Sequence, residues 1–243
     1  MIDLIKGDCL EVMKGIESGS IDAIITDPPY GTTACKWDSV IDFDLMWEQL
    51  NRIIKPNGAI VLFAAQPFTS ALIMSNPKMF KYDWVWQKPK GTGHLNAKKQ
   101  PMRDKEDVLV FYKNQCTYNP QMTQGKPYDG NARTGSKQQT SSYGKYKQDR
   151  EVNKGVRYPK QVQKFRVVER GTLHPTQKPI LLMEYLIKTY TNENETVLDF
   201  TMGSGSTLVA CQNLNRNGIG IEQDENYFKI ASDRIKENEY KLF

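Results

Sequence analysis

The chain is predicted to fold as an α/β body, one doubly wound sheet interrupted once by an inserted basic segment. Three observations predict this. Short apolar runs alternate with stretches of helical spacing toward both ends of the sequence. The runs at Ile2–Lys6, Ile21–Thr26 and Thr196–Asp199 are each followed by polar or glycine-rich turns of the kind that sit at a sheet edge. Between these two regions the composition shifts to Gln, Lys, Gly, Ser and Tyr, with almost no Leu or Ile.

Each element follows from its local pattern. Ile2–Lys6 is a short strand. Ile21–Thr26 is a second, ended by Asp27-Pro28-Pro29 because proline has no N–H for a central ladder. Residues 43–54 carry Leu45, Met46, Leu50, Ile53 and Ile54 at helical spacing, and Pro56-Asn57-Gly58 is expected to end that helix as a turn. Residues 59–65 are continuously apolar, as in a strand covered on both faces. A helix is expected over 67–74, then strands over 81–86 and 108–112 joined by a basic loop. Regular structure resumes near His174 with an amphipathic helix over 179–190, a strand at Thr196–Asp199, a helix over 207–214, a strand over 218–222 and a closing helix over 225–237.

Bulk properties exclude several classes. No apolar run approaches the roughly 20 residues that span a bilayer, and the first residues show no secretory signal pattern. Cys9, Cys35, Cys116 and Cys211 are scattered, which suits neither a zinc site nor a disulfide framework, so reduced cytoplasmic thiols and no metal are expected. The net charge of +5 is concentrated. Residues 113–170 hold 13 Lys/Arg against 4 Asp/Glu, a net of +9, and the rest of the chain is −4. That distribution points to a polyanion-binding lobe over 113–172, attached to a near-neutral catalytic body of residues 1–112 and 173–243. The lobe contains the low-complexity run Gly135-Ser136-Lys137-Gln138-Gln139-Thr140-Ser141-Ser142, and order on binding nucleic acid is expected of it.

Two motifs carry the chemistry. In the first, Asp199 ends a strand and is followed by Gly203 and Gly205 and a helix beginning near Ser206. Bare backbone and a helix N-terminus at the carboxyl edge of a sheet suit a nucleotide-like ligand. The pattern is a poor dinucleotide fingerprint, since Leu208 stands where a third glycine belongs, and no Gly-Lys-Ser/Thr follows to make a P-loop. Glu222, at the end of the next strand, can accept from two ribose hydroxyls. The second motif is Asp27-Pro28-Pro29-Tyr30.

In this order the motifs resemble those of the beta-class DNA amino-methyltransferases, which methylate adenine N6 or cytosine N4. The resemblance covers residues 1–112 and 173–237. It implies a mostly parallel, seven-stranded sheet of the S-adenosylmethionine-dependent methyltransferase type with an inserted recognition lobe. It further implies that Asp199 faces the methionine ammonium and that Gly7-Asp8-Cys9-Leu10 lies near the cofactor adenine. His174-Pro175-Thr176-Gln177-Lys178-Pro179 would close over the methionine end. The cofactor set is then Asp8, Cys9, Asp27, His174, Thr176, Gln177, Lys178, Asp199, Phe200, Gly203, Ser204, Gly205, Ser206, Thr207 and Glu222.

The catalytic set is Asp27, Pro28, Pro29 and Tyr30. An exocyclic amine is a poor nucleophile because its lone pair is delocalised into the ring. A carboxylate from Asp27 and a main-chain carbonyl at Pro28, fixed by two prolines, would accept its N–H bonds and turn the lone pair toward a sulfonium methyl. Tyr30 offers a flat face for a base extruded from the duplex. Asp-Pro-Pro-Tyr goes more often with adenine in this family, which favours N6 over N4. RNA methylation and a catalytically silent DNA-binding module stay open as alternatives. DNA contacts are expected from the loop residues Lys88, Lys90, His94, Asn96, Lys98, Lys99 and Arg103, and from Lys145, Lys147, Arg150, Lys154 and Arg157 among the lobe's aromatic residues. The expected partner is double-stranded DNA in a prokaryotic or phage-infected cell, with no membrane. The resemblance leaves open a homodimer and a cognate restriction endonuclease.

Overall fold

The structure, a computed structural model, describes residues 1–32, 38–128, 153–168, 172–173 and 177–242. The chain divides into two compact units, Met1–Asn119 with Gln161–Phe243, and Pro120–Lys160. The sheet of the larger unit is formed by β1 (Ile2–Lys6), β2 (Ile21–Thr26), β3 (Ile54–Ala64), β4 (Phe80–Thr92), β5 (Arg103–Phe111), β8 (Val162–Lys164), β9 (Thr196–Asp199) and β10 (Asn217–Glu222). Its helices are α1 (Cys9–Lys14), α2 (Phe43–Ile53), α3 (Phe68–Ser75), α4 (Ile180–Tyr190), α5 (Ser206–Asn213) and α6 (Glu225–Leu242). The smaller unit contains β6 (Thr123–Gln124) paired antiparallel with β7 (Val156–Arg157).

The strand order is β1-β10-β9-β2-β3-β5-β4-β8. Each neighbouring pair from β1 through β3 is parallel. β5 is antiparallel to both β3 and β4, and β8 is parallel to β4, so β5 alone runs against the rest. The sheet is therefore mostly parallel, as expected, but among the described residues it has eight strands where seven were expected. The eighth, β8, comes from the segment assigned to the lobe. Its residues have little strand signal of their own, and pairing of Val162 with Val85 and Lys164 with Gln87 places them.

Alternation along the central strands explains why helices cover both faces. Ala23 and Ile25 of β2, with Ala59, Val61 and Phe63 of β3, pack on one face against Leu182, Met183, Leu186, Ile187 and Tyr190 of α4. Ile24, Ile60 and Leu62 point the other way, against Met46, Trp47, Leu50 and Ile53 of α2 and Leu72 of α3. Truncating a fully buried side chain such as Leu50 to Ala would cost roughly 2–5 kcal/mol. Tyr190 locks α4 to β4, because its hydroxyl accepts from Trp84 Nε1 at 2.6 Å.

Two local readings are corrected. Pro56-Asn57-Gly58 is not a free turn, since β3 begins at Ile54 and runs through it. Gly58 permits this passage: a Cβ there would lie 2.6 Å from Ile54 Cδ1 and 2.8 Å from the Asp22 carbonyl oxygen. The basic loop is also shorter than expected, because β4 extends to Thr92 and β5 begins at Arg103. Among the described residues, no helix is long and apolar enough to cross a membrane.

Candidate active site

β2 lies between β9 and β3, where the order of connections reverses. Ligands of open α/β sheets bind at the carboxyl ends of strands at such a point. The carboxyl ends of β1, β2, β9 and β10 lead into Asp8, Asp27, Phe200 and Gln223, and all four residues line one cavity of about 370 Å³. Pro28, Pro29, Tyr30, Cys9, Gln177, Lys178, Asp199, Gly203, Ser204, Ser206, Thr207 and Glu222 line it as well. The sequence motifs thus converge in space.

The glycine turn is built around two carboxylates. Gly205 caps α5 with φ of 74°, in the left-handed region that an L side chain resists. Glu222 accepts from the Gly203 amide at 3.0 Å and from the Asp224 amide at 2.8 Å. Asp199 is buried, and its partners are neutral: Thr26 Oγ1 at 2.6 Å, Thr207 Oγ1 at 2.5 Å and the Thr201 amide at 3.2 Å. Burial pushes the Asp199 carboxyl up to about 6 against those hydrogen bonds. Such a group suits a cationic ligand. Asp8 accepts from the Leu10 and Glu11 amides and so caps α1 at the cavity rim. Arg234 donates to the Ser204 carbonyl and hydroxyl, which fixes the start of α5.

The catalytic motif is tied directly to this turn. Thr201 Oγ1 donates to the Asp27 carbonyl at 3.1 Å and lies 2.7 Å from Thr26 Oγ1. The Tyr30 hydroxyl donates to Asp27 Oδ1 at 2.5 Å, and Lys178 donates to Asp27 Oδ2. Tyr30 stacks on Phe68 with centroids 5.1 Å apart and planes 26° apart. Burial raises the Asp27 carboxyl, and the nearby Glu106 adds to that, while Lys178 opposes it. Lys178 is itself buried but stays above its ordinary range because Asp27 and Glu106 outweigh burial.

The N6/N4 methyltransferase family model, described as DNA methylase, matches residues 21–233. The chain belongs to the N6/N4 DNA methylase family. Its relatives include the type II methyltransferase M.HpaI of Haemophilus parainfluenzae, 30% identical over 248 residues that cover 96% of this chain and 73% of that one. M1.MboII of Moraxella bovis is 28% identical, with 93% of each chain covered. A crystal structure of M1.HpyAVI in complex with S-adenosylmethionine superposes with a TM-score of 0.65 at 29% identity, covering 97% of this chain and 99% of that one. The cytosine-N4-specific PvuII methyltransferase shares the fold, with a TM-score of 0.67 at 15% identity over 99% of this chain and 92% of that one.

Among the methylase's other expected site residues, His174 and Thr176, with Lys145, Lys147 and Arg150, lie outside the described residues. Lys178, expected near the cofactor, borders the cavity but spends its charge on Asp27. Lys88, expected on DNA, pairs with Glu106 and sits 4.9 Å over the Trp86 ring. Lys90, His94, Asn96, Lys98, Lys99 and Arg103 are exposed around the tip of the β4–β5 hairpin, with His94 and Asn96 in a short 3-10 turn. In the smaller unit, Lys154 is exposed, whereas Arg157 stacks 4.6 Å over Tyr128 and donates to the Lys126 carbonyl. Sequence reasoning missed Thr26, Thr201, Glu106 and Tyr227. Tyr227 lines the cavity from the first turn of α6, where helical spacing alone carries no hint of a ligand.

Proposed function

We propose that this methylase transfers a methyl group from S-adenosylmethionine to the exocyclic N6 of an adenine turned out of double-stranded DNA. The observation that carries the reading is the hydrogen-bonded joint between Asp27 and the glycine turn through Thr26, Thr201 and Asp199. It supports the reading because Asp27 and residues of the glycine turn line the same cavity.

The residues present fit the cofactor. Asp199 offers a buried carboxylate whose hydrogen-bond partners among the described residues are neutral, where an ammonium would be favoured. Glu222 has lone pairs left for ribose hydroxyls beyond its two amide bonds. Phe200, Leu10 and Ile221 supply apolar surface to the cavity. When bound, S-adenosylmethionine supplies an electrophilic methyl carbon on a sulfonium. Asp27 accepts an N–H of the target amine and holds its lone pair toward that carbon. Asp199 and Glu222 would hold that cofactor, which would give up its methyl carbon to the amine and leave as a neutral thioether, while Asp27 would take up the proton that the nitrogen releases and pass it to solvent. Tyr30 receives one face of the base.

Adenine is favoured over cytosine by Asp27 at the head of the motif. The test is incubation of unmethylated plasmid DNA with the protein and S-adenosylmethionine, followed by nucleoside analysis and sequencing of modified bases. N6-methyladenine at a fixed site is expected. N4-methylcytosine would overturn the base assignment alone, and unmodified DNA despite cofactor binding would leave a silent DNA-binding module.

A further inference from the structure

Asp27 stands at the end of a row of alternating charges. Lys178, from the segment before α4, donates to Asp27 Oδ2, and its ammonium also lies 3.4 Å from Glu106 Oε2 on β5. Lys88 on β4 donates to Glu106 Oε1 and ends the row. The side chains of Lys178, Glu106 and Lys88 are only 7%, 15% and 16% exposed. Two carboxylates and two ammoniums balance to zero charge in a poorly solvated place. Among the described residues, Glu106 Oε2 has no hydrogen-bond partner, and the Lys178 ammonium at 3.4 Å is its compensation. Asp27 and Lys178 line the cavity; Glu106 and Lys88 are not among its lining residues.

We propose that Glu106 is a positioning residue of the methyl-transfer site: by gripping Lys88 and Lys178 together it fixes the Lys178 ammonium on Asp27 Oδ2, so that Oδ1, which also accepts from the Tyr30 hydroxyl, keeps a lone pair for the target amine. The proposal rests on the reading that Asp27 receives that amine. A buried lysine facing a single carboxylate can relieve its desolvation by passing the proton across and leaving two neutral groups. A second carboxylate blocks that route, because Glu106 would then be a buried charge with half its compensation gone. Asp27 is thereby kept as a carboxylate, the form that accepts an N–H.

The electrostatics agree for Lys178, whose ammonium Asp27 and Glu106 together hold above its ordinary range against burial. Burial pushes the Glu106 carboxyl up, but Lys178 and Lys88 outweigh it and hold the group low. Asp27 is raised by burial and by Glu106, with Lys178 acting against both. Among the described residues, the other ionisable groups facing Asp27 are the Tyr30 phenol and the Asp199 carboxylate on β9.

The test is single-turnover methylation, from pH 5 to 9, of a duplex fragment that the wild-type protein modifies, at saturating S-adenosylmethionine and DNA. Calorimetric titration with S-adenosylmethionine and thermal melting accompany it. Glu106→Gln is expected to lower the plateau rate at least tenfold with cofactor affinity within about twofold of wild type. It should move the acid limb to lower pH, since a like charge beside Asp27 is gone. Lys178→Met should move that limb the opposite way. A wild-type plateau and limb in Glu106→Gln overturns the proposal, as does a rate loss that only follows lost cofactor affinity with the limb unmoved. If Glu106→Gln does not fold, Lys88→Gln decides: a lowered plateau at retained cofactor affinity is expected, and a wild-type plateau overturns. Asp27→Ala separates the two readings. Activity retained in it sinks the amine-binding role of Asp27, whereas loss there with Glu106→Gln unchanged sinks only the positioning role.

Discussion

Glu222 Oε2 accepts the Gly203 amide at 3.0 Å, which ties the end of β10 to the turn after β9. The same carboxylate takes the Asp224 amide through Oε1, so it braces the cavity wall as well as facing any ribose. Glu222→Ala is therefore expected to weaken S-adenosylmethionine by about 10- to 100-fold, the loss of charge-assisted bonds worth roughly 1.5–3 kcal/mol. Glu222→Gln keeps the shape but lacks the charge, and should fall between. Calorimetric titration of the three proteins checks this, and equal affinities would remove Glu222 from the cofactor site.

Asp199 gives the site a pH dependence whose sign is fixed. Its folded carboxyl is raised by burial to about 6, above the ordinary carboxylate value. In the unliganded fold, the stability tied to this group is full below about pH 4 and is lost as pH rises through about 6. A ligand ammonium favours the ionised form, so S-adenosylmethionine affinity should rise from pH 5 to about 7 and then level off, by at most roughly tenfold per unit. Asp199→Asn should abolish that rise. Titrations at three pH values suffice, and a flat wild-type profile would show that no cation meets Asp199.

Much of this was legible in the sequence because it rests on local pattern. Apolar runs named the central strands, and Asp27, Asp199 and Glu222 each sit at the end of one, where the parallel order brings strand ends together. The charge row was not legible. Arg103-Asp104-Lys105-Glu106-Asp107 reads as a solvated loop, and only antiparallel pairing of Glu106 with Trp86 brings it under Lys178. Lys88 was read as a DNA contact for the same reason, since its partner is 18 residues away on another strand. β8 was hidden because a three-residue strand owes its conformation to β4 rather than to its own residues.

DNA affinity should depend on salt mainly through cations not already used. Lys98, Lys99 and Arg103 are exposed around the hairpin tip, whereas Lys88 and Arg157 are committed to protein groups. Each phosphate contact removed should reduce the slope of log K against log salt by about 0.9. Replacing Lys98, Lys99 and Arg103 by Gln is one arm, and replacing Lys145, Lys147, Arg150 and Lys154 is the other. Both should flatten the slope, while Arg157→Gln alone should leave it nearly unchanged and lower the melting temperature instead. A slope indifferent to both arms would place the DNA surface elsewhere.

Tyr30 has two attachments that separate its ring from its hydroxyl. The ring is stacked on Phe68, and the hydroxyl donates to Asp27 Oδ1. A paired adenine cannot offer N6 to Asp27 while bonded to its partner base, so it must leave the stack at a cost of a few kcal/mol. The face of Tyr30 away from Phe68 is where stacking would offset that cost. Tyr30→Phe keeps the platform but removes a hydrogen bond that lowers the Asp27 carboxyl pKa. Its activity should approach wild type at high pH and fall off sooner on the acid side. Tyr30→Ala removes the platform and should lose most activity at every pH, with partial recovery when the target is mispaired and easier to extrude. Single-turnover methylation of matched and mismatched duplexes across pH distinguishes the two. If Ala matches wild type on the matched duplex, the ring does not stack on a base. If Phe and Ala are equally damaging at high pH, the hydroxyl on Asp27, rather than the ring, is what the reaction requires.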